Sequence, residues 1–324
     1  MRHTVYLDVP TQIGFNTVKL PTALAKYYGN NATVFVDGVE VESEVINNGT
    51  IRYIRFDCSV QINEFDVGFG NLRLNLKRVE ANVRGLFGGG YTSSYSNVID
   101  YVTIATASAT ATNFGDLSEA RYYLAACSSS TRGIFGGGYT GSNSNVIEYV
   151  TIATSGGTAT DFGDLNVAKY ILAACSSSTR GLFGGGYTGS TSNVIEYVTI
   201  ATTGNATDFG DLITARYVLA ACSSSTRGIF GGGYADYSYS NVIEYVTIAS
   251  TGDVTDFGDL ITARYGLAAC SSSTRGIFGG GYISSKSNAI EYVTIATTGN
   301  ATDFGDLDVA RVNLAACSNG HGGL

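Results

Sequence analysis

Hydrophobic residues along this chain fall in short runs that alternate with polar or small residues. Between Val146 and Ile152 the order is Val-Ile-Glu-Tyr-Val-Thr-Ile, so that successive side chains point to opposite sides of an extended backbone. Branched and aromatic residues at a period of two favour a strand over a helix. The separators are rich in glycine, serine, threonine and asparagine, which turn the chain. The pattern predicts an all-β protein.

The same runs recur at a fixed interval. The string Arg-Gly-(Leu/Ile)-Phe-Gly-Gly-Gly-Tyr occurs five times, with spacings of 48, 48, 47 and 48 residues, starting at Arg84, Arg132, Arg180, Arg227 and Arg275. Three other blocks keep the same period, and in one copy they begin at Leu124 (Leu-Ala-Ala-Cys-Ser-Ser-Ser), Asn145 (Asn-Val-Ile-Glu-Tyr-Val-Thr-Ile-Ala) and Asp161 (Asp-Phe-Gly-Asp-Leu). Four short strands per period predict one antiparallel meander, and a radial array of such sheets is a β-propeller.

A propeller must join its ends, and the sequence leaves two ways to do so. Five periods run from Arg73 to Ala310, and residues 311–318 resemble one inner strand of a sixth. In the preferred arrangement, three strand-like runs within residues 32–72 pair with residues 311–318 and complete a sixth blade. In the alternative, five blades in residues 73–324 are accompanied by a separate N-terminal β-domain at residues 1–72.

The composition excludes two other interpretations of so repetitive a chain. Glycine supplies 42 of the 324 residues, but proline supplies only 2, and 44% of residues are hydrophobic. Collagen requires proline and a glycine at every third position, and a disordered chain lacks this much hydrophobic content. The glycine triplets, such as residues 136–138, are expected to let neighbouring backbones approach closely.

The charge balance bears on partners and location. Nineteen basic and 27 acidic residues give a net charge of −8, which disfavours binding to nucleic acid or to an anionic membrane. No segment approaches the roughly 18 consecutive apolar residues of a membrane-spanning helix. Residues 1–10 lack the apolar core of a secretion signal. We therefore expect synthesis in a cytoplasm, without export by a signal peptide and without membrane insertion.

One repeat carries the residues of a known family in order. Arg121 precedes Leu124 to Cys127, the run Ile134 to Gly138 ends in glycines, and Glu148-Tyr149 and Phe162 follow. This order resembles the kelch repeat, with Phe162 where that family has tryptophan. The compact, tryptophan-less copies are most similar to kelch-type propellers in structural proteins of tailed bacteriophages.

The resemblance implies a function and a location. It implies a non-enzymatic virion protein, either a capsid decoration or part of a tail appendage, whose partners are other virion proteins and a host-surface glycan or protein. Two alternatives remain: a glycan-binding, lectin-like propeller and an intracellular propeller adaptor.

Candidate catalytic and metal-binding residues are scarce. The histidines are His3 and His321, both near the termini, so no catalytic triad and no two-histidine metal site falls within the repeats. We expect no catalytic residue, no cofactor and no bound metal. One repeat position carries cysteine in five copies, where a small buried side chain is the expected role: Cys127, Cys175, Cys222, Cys270 and Cys317.

Two recurring kinds of carboxylate are expected to be structural. Asp161 and Asp164, with their counterparts, suit the capping of turns, because a catalytic pair would be unique rather than repeated. Glu148 and its counterparts lie on an otherwise apolar strand face and therefore need a partner. The repeat arginines are the predicted partners, in an arrangement that would link the blades.

Comparison of the copies separates uniform loops from varied ones. The Ser-Ser-Ser-Thr turn before each Arg-Gly is unchanged in four copies, whereas the loops between the second and third strands differ. The links between blades also differ, and in a meander these two sets emerge on one face. Varied loops on a rigid scaffold are typical of a binding face, although unconstrained drift would produce the same pattern. The candidate ligand-binding residues are Tyr95, Asn143, Thr191, Asp236, Tyr237, Tyr239 and Lys286.

Overall fold

The protein divides into two compact units in a computed structural model, residues 1–83 and residues 84–324. The structure describes residues 84–104, 110–154, 156–235 and 237–318 in full, and before residue 84 it describes the backbone of eight strands. Every regular element in these parts is a strand, as the alternating pattern predicts.

The first unit contains two sheets. The five-stranded sheet has the order β1-β8-β7-β3-β4, with β1 parallel to β8 and the other neighbours antiparallel. The three-stranded sheet has the order β2-β6-β5 and is antiparallel. The strands are β1 (Arg2–Leu7), β2 (Gly14–Lys19), β3 (Thr33–Val36), β4 (Val39–Val41), β5 (Ser43–Asn47), β6 (Arg52–Cys58), β7 (Glu64–Phe69) and β8 (Leu72–Arg78).

The second unit consists of five successive antiparallel sheets, which we call blades one to five. Blade one has three strands, β9 (Arg84–Gly88), β10 (Val98–Thr103) and β11 (Thr112–Asp116). Blade two is β12 (Ala125–Ser128), β13 (Arg132–Gly136), β14 (Val146–Thr151) and β15 (Thr160–Asp164). Blade three is β16 (Ala173–Ser176), β17 (Arg180–Gly184), β18 (Val194–Thr199) and β19 (Thr207–Asp211).

The last two blades follow the same plan. Blade four is β20 (Ala220–Ser223), β21 (Arg227–Gly231), β24 (Val242–Thr247) and β25 (Thr255–Asp259), with the short hairpin β22 (Tyr234–Ala235) and β23 (Ser238–Tyr239) between its second and third strands. Blade five is β26 (Ala268–Ser271), β27 (Arg275–Gly279), β28 (Ala289–Thr294) and β29 (Thr302–Asp306).

The first strands of blades two to five lie side by side. Each of β12, β16 and β20 contacts the first strand of the next blade. A serine hydroxyl donates to a backbone carbonyl at each step, from Ser176 to Ser128 at 2.8 Å and from Ser223 to Ser176 at 2.7 Å. Only small side chains allow strands this close, which explains the Ala-Ala-Cys-Ser sequence. The predicted β-propeller-like arrangement of four-stranded meanders is therefore confirmed.

The preferred six-bladed closure is wrong. In the described parts of the chain, β1 to β8 form ladders only with one another, and residues 312–318 form no strand. Residues 73–78 align with residues 121–126, which lead into the inner strand of blade two, but they belong to β8 and pair with β1 and β7. This recruitment leaves blade one with three strands. The observed arrangement is the alternative, five blades with a separate N-terminal β unit.

The core of the second unit lies between blades. Phe162 of blade two packs in one cluster with Val198 and Ile200 of blade three. The ring of Phe183 covers Gly136 of the preceding blade so closely that a Cβ on this glycine would lie 2.7 Å from the ring. The first glycine of the triplet thus faces an aromatic ring. A Cβ on the second glycine, Gly137, would lie 2.7 Å from the backbone carbonyl oxygen of Lys169, so the expected close approach of backbones is confirmed. Both faces of an interior blade are covered in this way.

The two outermost faces of the array lack this cover. Phe87 of blade one is 57% exposed, whereas its counterpart Phe135 is 3% exposed. Phe304 of blade five is 51% exposed, whereas its counterpart Phe257 is 2% exposed. We call the first surface the leading face, defined by Phe87 and Ile104, and the second the trailing face, defined by Arg275, Gly279 and Phe304.

Candidate binding face

A buried ion pair fixes the link into each blade. Arg121 Nη2 lies 2.6 Å from Glu148 Oε2, and both side chains are buried. Glu148 Oε1 also accepts a hydrogen bond from the backbone N–H of Ser118, in the segment that follows blade one. The same contact recurs in the later blades, as the pairs Lys169–Glu196, Arg216–Glu244 and Arg264–Glu291.

These pairs confirm that the repeat carboxylates take basic partners from the repeat. Glu148 lies on the third strand of blade two and Arg121 in the link that leads into this blade, and a backbone N–H of the same link adds a further contact. Burial raises the pKa of Glu244 and lowers that of Arg216, because both charged groups lose water. Their contact and the N–H donor offset that loss, so each partner depends on the other.

A second set of arginines joins neighbouring blades. Arg132 Nη1 donates to the carbonyl oxygen of Ile200 in the next blade at 2.8 Å, while its guanidinium lies 4.4 Å from the centre of the Tyr149 ring. The same bond to the next blade is made by Arg84, Arg180 and Arg227. Both recurrent arginine positions thus serve the scaffold.

The inner-strand thiols differ in exposure: Cys175 and Cys222 are buried, Cys127 and Cys270 are partly buried, and Cys317 is exposed. Burial raises the pKa of Cys127 and of Cys222 to about 12, because the thiolate would have to form without water. They therefore stay protonated at neutral pH. In the parts of the chain that the structure describes, no group of three or more histidine, cysteine, aspartate or glutamate side chains could hold a metal ion.

Within the described residues, no helix is long and apolar enough to cross a bilayer.

A continuous row of tyrosine rings follows the loops that the sequence comparison singled out. Between blades two and three, ring centres are 5.8 Å apart for Tyr122 and Tyr139, 5.3 Å for Tyr139 and Tyr170, and 5.7 Å for Tyr170 and Tyr187. We call the whole row the tyrosine band, with members Tyr91, Tyr95, Tyr122, Tyr123, Tyr139, Tyr170, Tyr187, Tyr217, Tyr234, Tyr239, Tyr265 and Tyr282.

The backbone holds this band in place. In blades two to five, one tyrosine follows the buried cation and the other ends the glycine triplet. Tyr139 donates its backbone N–H to the carbonyl of Tyr122 at 2.8 Å, and Tyr122 donates back at 3.2 Å. The rings are therefore set by paired main chain rather than by free loops. The signal was present in the sequence as two tyrosines at the repeat period, but their pairing was not predicted.

The structure brings five of the seven candidate residues onto the tyrosine band. Each occupies the same place, paired through the backbone with the tyrosine that ends the triplet: Tyr95 with Tyr91, Asn143 with Tyr139, Thr191 with Tyr187, Tyr239 with Tyr234 and Lys286 with Tyr282. A position that varies between blades is therefore paired with a tyrosine that is the same in all five copies.

The remaining two candidates belong to the longest loop. Tyr237 lies at its tip, 96% exposed and with a φ of 64°, a left-handed conformation that is unusual for tyrosine. Asp236 lies outside the described residues. The links between blades meet the same loops, since Arg121 donates its backbone N–H to the carbonyl of Ser96. The two varied sets of loops thus share one face, as the sequence comparison expected.

Four phenols of the band are held more firmly in the neutral, hydrogen-bond-donating form. Loss of water and neighbouring phenols together raise the pKa of Tyr122, Tyr170, Tyr217 and Tyr239. Beside the band, a depression between blades two and three is lined by Asn166, Thr188 and Thr191, with the Lys169–Glu196 pair also in its wall. Aromatic surface and neutral polar groups are therefore combined along one face.

Comparison with known proteins adds no relative: no protein-family model matches the chain, and no curated protein matches it.

Proposed function

We propose that this chain is a non-enzymatic structural and adhesion protein of a bacteriophage virion, and that it binds its target through the tyrosine band. The observation that carries the proposal is the placing of the varied residues on a row of backbone-fixed tyrosines. A scaffold of this kind changes its specificity at one position per blade without disturbing the blades themselves.

The chemistry of the band suits recognition of a polar surface. Tyrosine offers a large contact area and a hydroxyl at a low cost in side-chain entropy, which is why it dominates many binding loops. The varied positions add an amide at Asn143, a hydroxyl at Thr191 and a cation at Lys286. The target expected from this mixture is a protein or a glycan on a host surface, or another virion protein.

The virion assignment rests on the likeness to kelch-type phage propellers and has a direct test. Mass spectrometry of purified phage particles from a culture that produces the chain should find it as a stoichiometric component. If the chain stays in the cell lysate and is absent from the particles, the virion assignment fails, whatever the chain binds.

The binding face has a separate test on the purified chain. Fluorescently labelled chain should bind intact host bacteria, and the combined change Tyr95→Ala and Tyr239→Ala should weaken binding about tenfold or more, since truncating a central aromatic contact typically costs at least 2 kcal/mol. The matched control is Ser225→Ala, an exposed position in the uniform turn. Equal loss in the control would contradict the assignment of the face.

A lectin is the second candidate, favoured by the exposed rings of Tyr91 and Tyr123 at one end of the band. Sugars stack on open aromatic faces. An array of immobilised glycans should then show binding that disappears in Tyr91→Ala and Tyr123→Ala. Cell binding without any glycan binding would instead indicate a protein receptor.

A further inference from the structure

The contact between neighbouring blades is the same at every step along the array. A phenylalanine of the later blade covers a glycine of the earlier one, in the pairs Phe135–Gly88, Phe183–Gly136, Phe230–Gly184 and Phe278–Gly231. An arginine of the earlier blade donates to an isoleucine carbonyl of the later one, from Arg84 to Ile152, Arg132 to Ile200, Arg180 to Ile248 and Arg227 to Ile295.

The trailing face has the glycine and the arginine that an earlier blade contributes to this contact. In the described chain, no later blade covers them. Around Gly279 the nearest atom that an added Cβ would meet is Cγ1 of Ile290 in its own blade, at 3.7 Å. Phe304 is half exposed. Among the hydrogen bonds of the described residues, Arg275 makes no bond of the kind that Arg227 makes to the next blade.

The leading face carries the later half. Phe87 is the counterpart of the ring that covers each triplet glycine, and it is more than half exposed. Ile104 is the counterpart of Ile152 and Ile200, which accept the arginine bond, and it too is exposed. The two faces therefore hold complementary halves of an interface that the protein already forms four times.

The inner strands show the same complementarity. Among the described strands, blade one has no first strand, and β9 is at the edge of its sheet. After blade five, residues 314–318 repeat the inner-strand sequence, and the Ser318 hydroxyl donates to the carbonyl of Ser271 at 2.6 Å, which continues the serine series. This segment has no second strand beside it in the described chain. By the register of β12 on β13, Ala316 would stand opposite Phe87.

We infer that the trailing face of one copy binds the leading face of a second copy of this chain. Phe87 of the second copy then covers Gly279, Arg275 donates to the carbonyl of Ile104 of that copy, and residues 315–318 complete the first blade of the neighbour. The contact is head-to-tail, because two different surfaces meet, and it can therefore repeat from copy to copy.

The test uses two substitutions on opposite faces of the full chain. Phe87→Arg spoils the leading face and Phe304→Arg the trailing face, and both side chains are already exposed, so the fold should survive. Light scattering coupled to size-exclusion chromatography should show assemblies of the unmodified chain and a single copy for each variant. The control Tyr237→Arg, at an exposed loop tip, should associate like the unmodified chain.

Mixing the two variants gives the decisive readout. Phe87→Arg keeps an intact trailing face and Phe304→Arg an intact leading face, so an equimolar mixture should form a dimer and stop there. A monomeric unmodified chain at every concentration, or a mixture that stays monomeric, overturns the inference. Closure of the ends within one chain would appear as a monomer whose thermal stability falls in both variants, and that result also overturns it.

Discussion

Interior and outermost blades have nearly the same sequence but different surroundings. The block Arg-Gly-(Leu/Ile)-Phe-Gly-Gly-Gly-Tyr occurs in blades one and four alike, yet Phe230 is fully buried and Phe87 is exposed. The difference arises from the neighbour, since each blade contributes half of two interfaces. In such an array the stability of a repeat is a sum of its own folding and its contacts with adjacent repeats. A residue's importance here depends on its place in the series more than on its type.

The sharpest test of this difference is the loss of one aromatic ring in each setting. Phe230→Ala should lower the free energy of unfolding by about 3–5 kcal/mol, because it empties a packed site between blades. Phe87→Ala should change it by less than about 0.5 kcal/mol in a chain kept monomeric by Phe304→Arg. Urea unfolding followed by circular dichroism measures both. Equal losses would mean that the leading face is covered within the chain.

The contribution of the buried ion pair to the free energy of unfolding should be the same in interior and outermost blades. Glu148→Gln and Glu291→Gln should each cost about 3 kcal/mol or more, because each strands a buried cation within its own blade. The same urea titration serves, with the exposed change Ser225→Ala as control. A clearly smaller loss for Glu291→Gln would show that neighbouring blades support the pair.

A single methyl group on the triplet glycines tests the packing more finely. Gly231→Ala should cost about 1–3 kcal/mol, because its Cβ would lie 2.7 Å from the ring of Phe278. Gly279→Ala should be nearly neutral in the Phe304→Arg chain, where no ring covers it. Differential scanning calorimetry measures the thermal unfolding midpoints of the two variants. Equal decreases in the midpoint would show that Gly279 is covered like Gly231.

Alkylation of the cysteines disturbs the protein least and compares the same two settings, an inner strand between blades and one at the end of the array. At about pH 8 the buried thiols of Cys127 and Cys222, with a pKa of about 12, should resist iodoacetamide, whereas exposed Cys317 should react within minutes in the Phe87→Arg chain. Peptide mass spectrometry identifies the labelled sites, and denatured chain provides the fully labelled control. Rapid labelling of Cys222 in the native chain would show that its inner strand opens.

Much of the fold could be predicted from sequence, because period and alternation carry it. The strand order within a blade follows from turns at fixed intervals. The need of Glu148 for a basic partner follows from the cost of burying an unpaired carboxylate, but which repeat arginine supplies it could not be read from the sequence. The closure was mispredicted for a physical reason: the strand-like runs within residues 32–72 suit a sixth blade and a separate unit equally well, and only the pairing partner distinguishes the two.

The sequence predicted which loops form the candidate face, but it did not predict the tyrosine band on which they lie. Variation between copies marked residues such as Asn143 and Thr191, and the structure places both on the tyrosine band. The tyrosines of the band recur at the repeat period, but the isolated backbone pairs that bring their rings together have no sequence pattern of their own. The exposure of the leading and trailing faces could not be predicted from the sequence either, because Phe87 and Phe135 occupy the same position of the same repeat motif.

The recurring contact between blades also bears on inheritance. Duplication or deletion of one whole period in the gene would insert or remove one blade and join the remaining blades through the same glycine, phenylalanine and arginine contacts. A closed ring fixes its blade number by geometry, but ends that pair between copies, as inferred above, do not. Under that inference, recombination between the nearly identical copies would change the blade number without loss of assembly, and each added copy would extend the tyrosine band by one variable position.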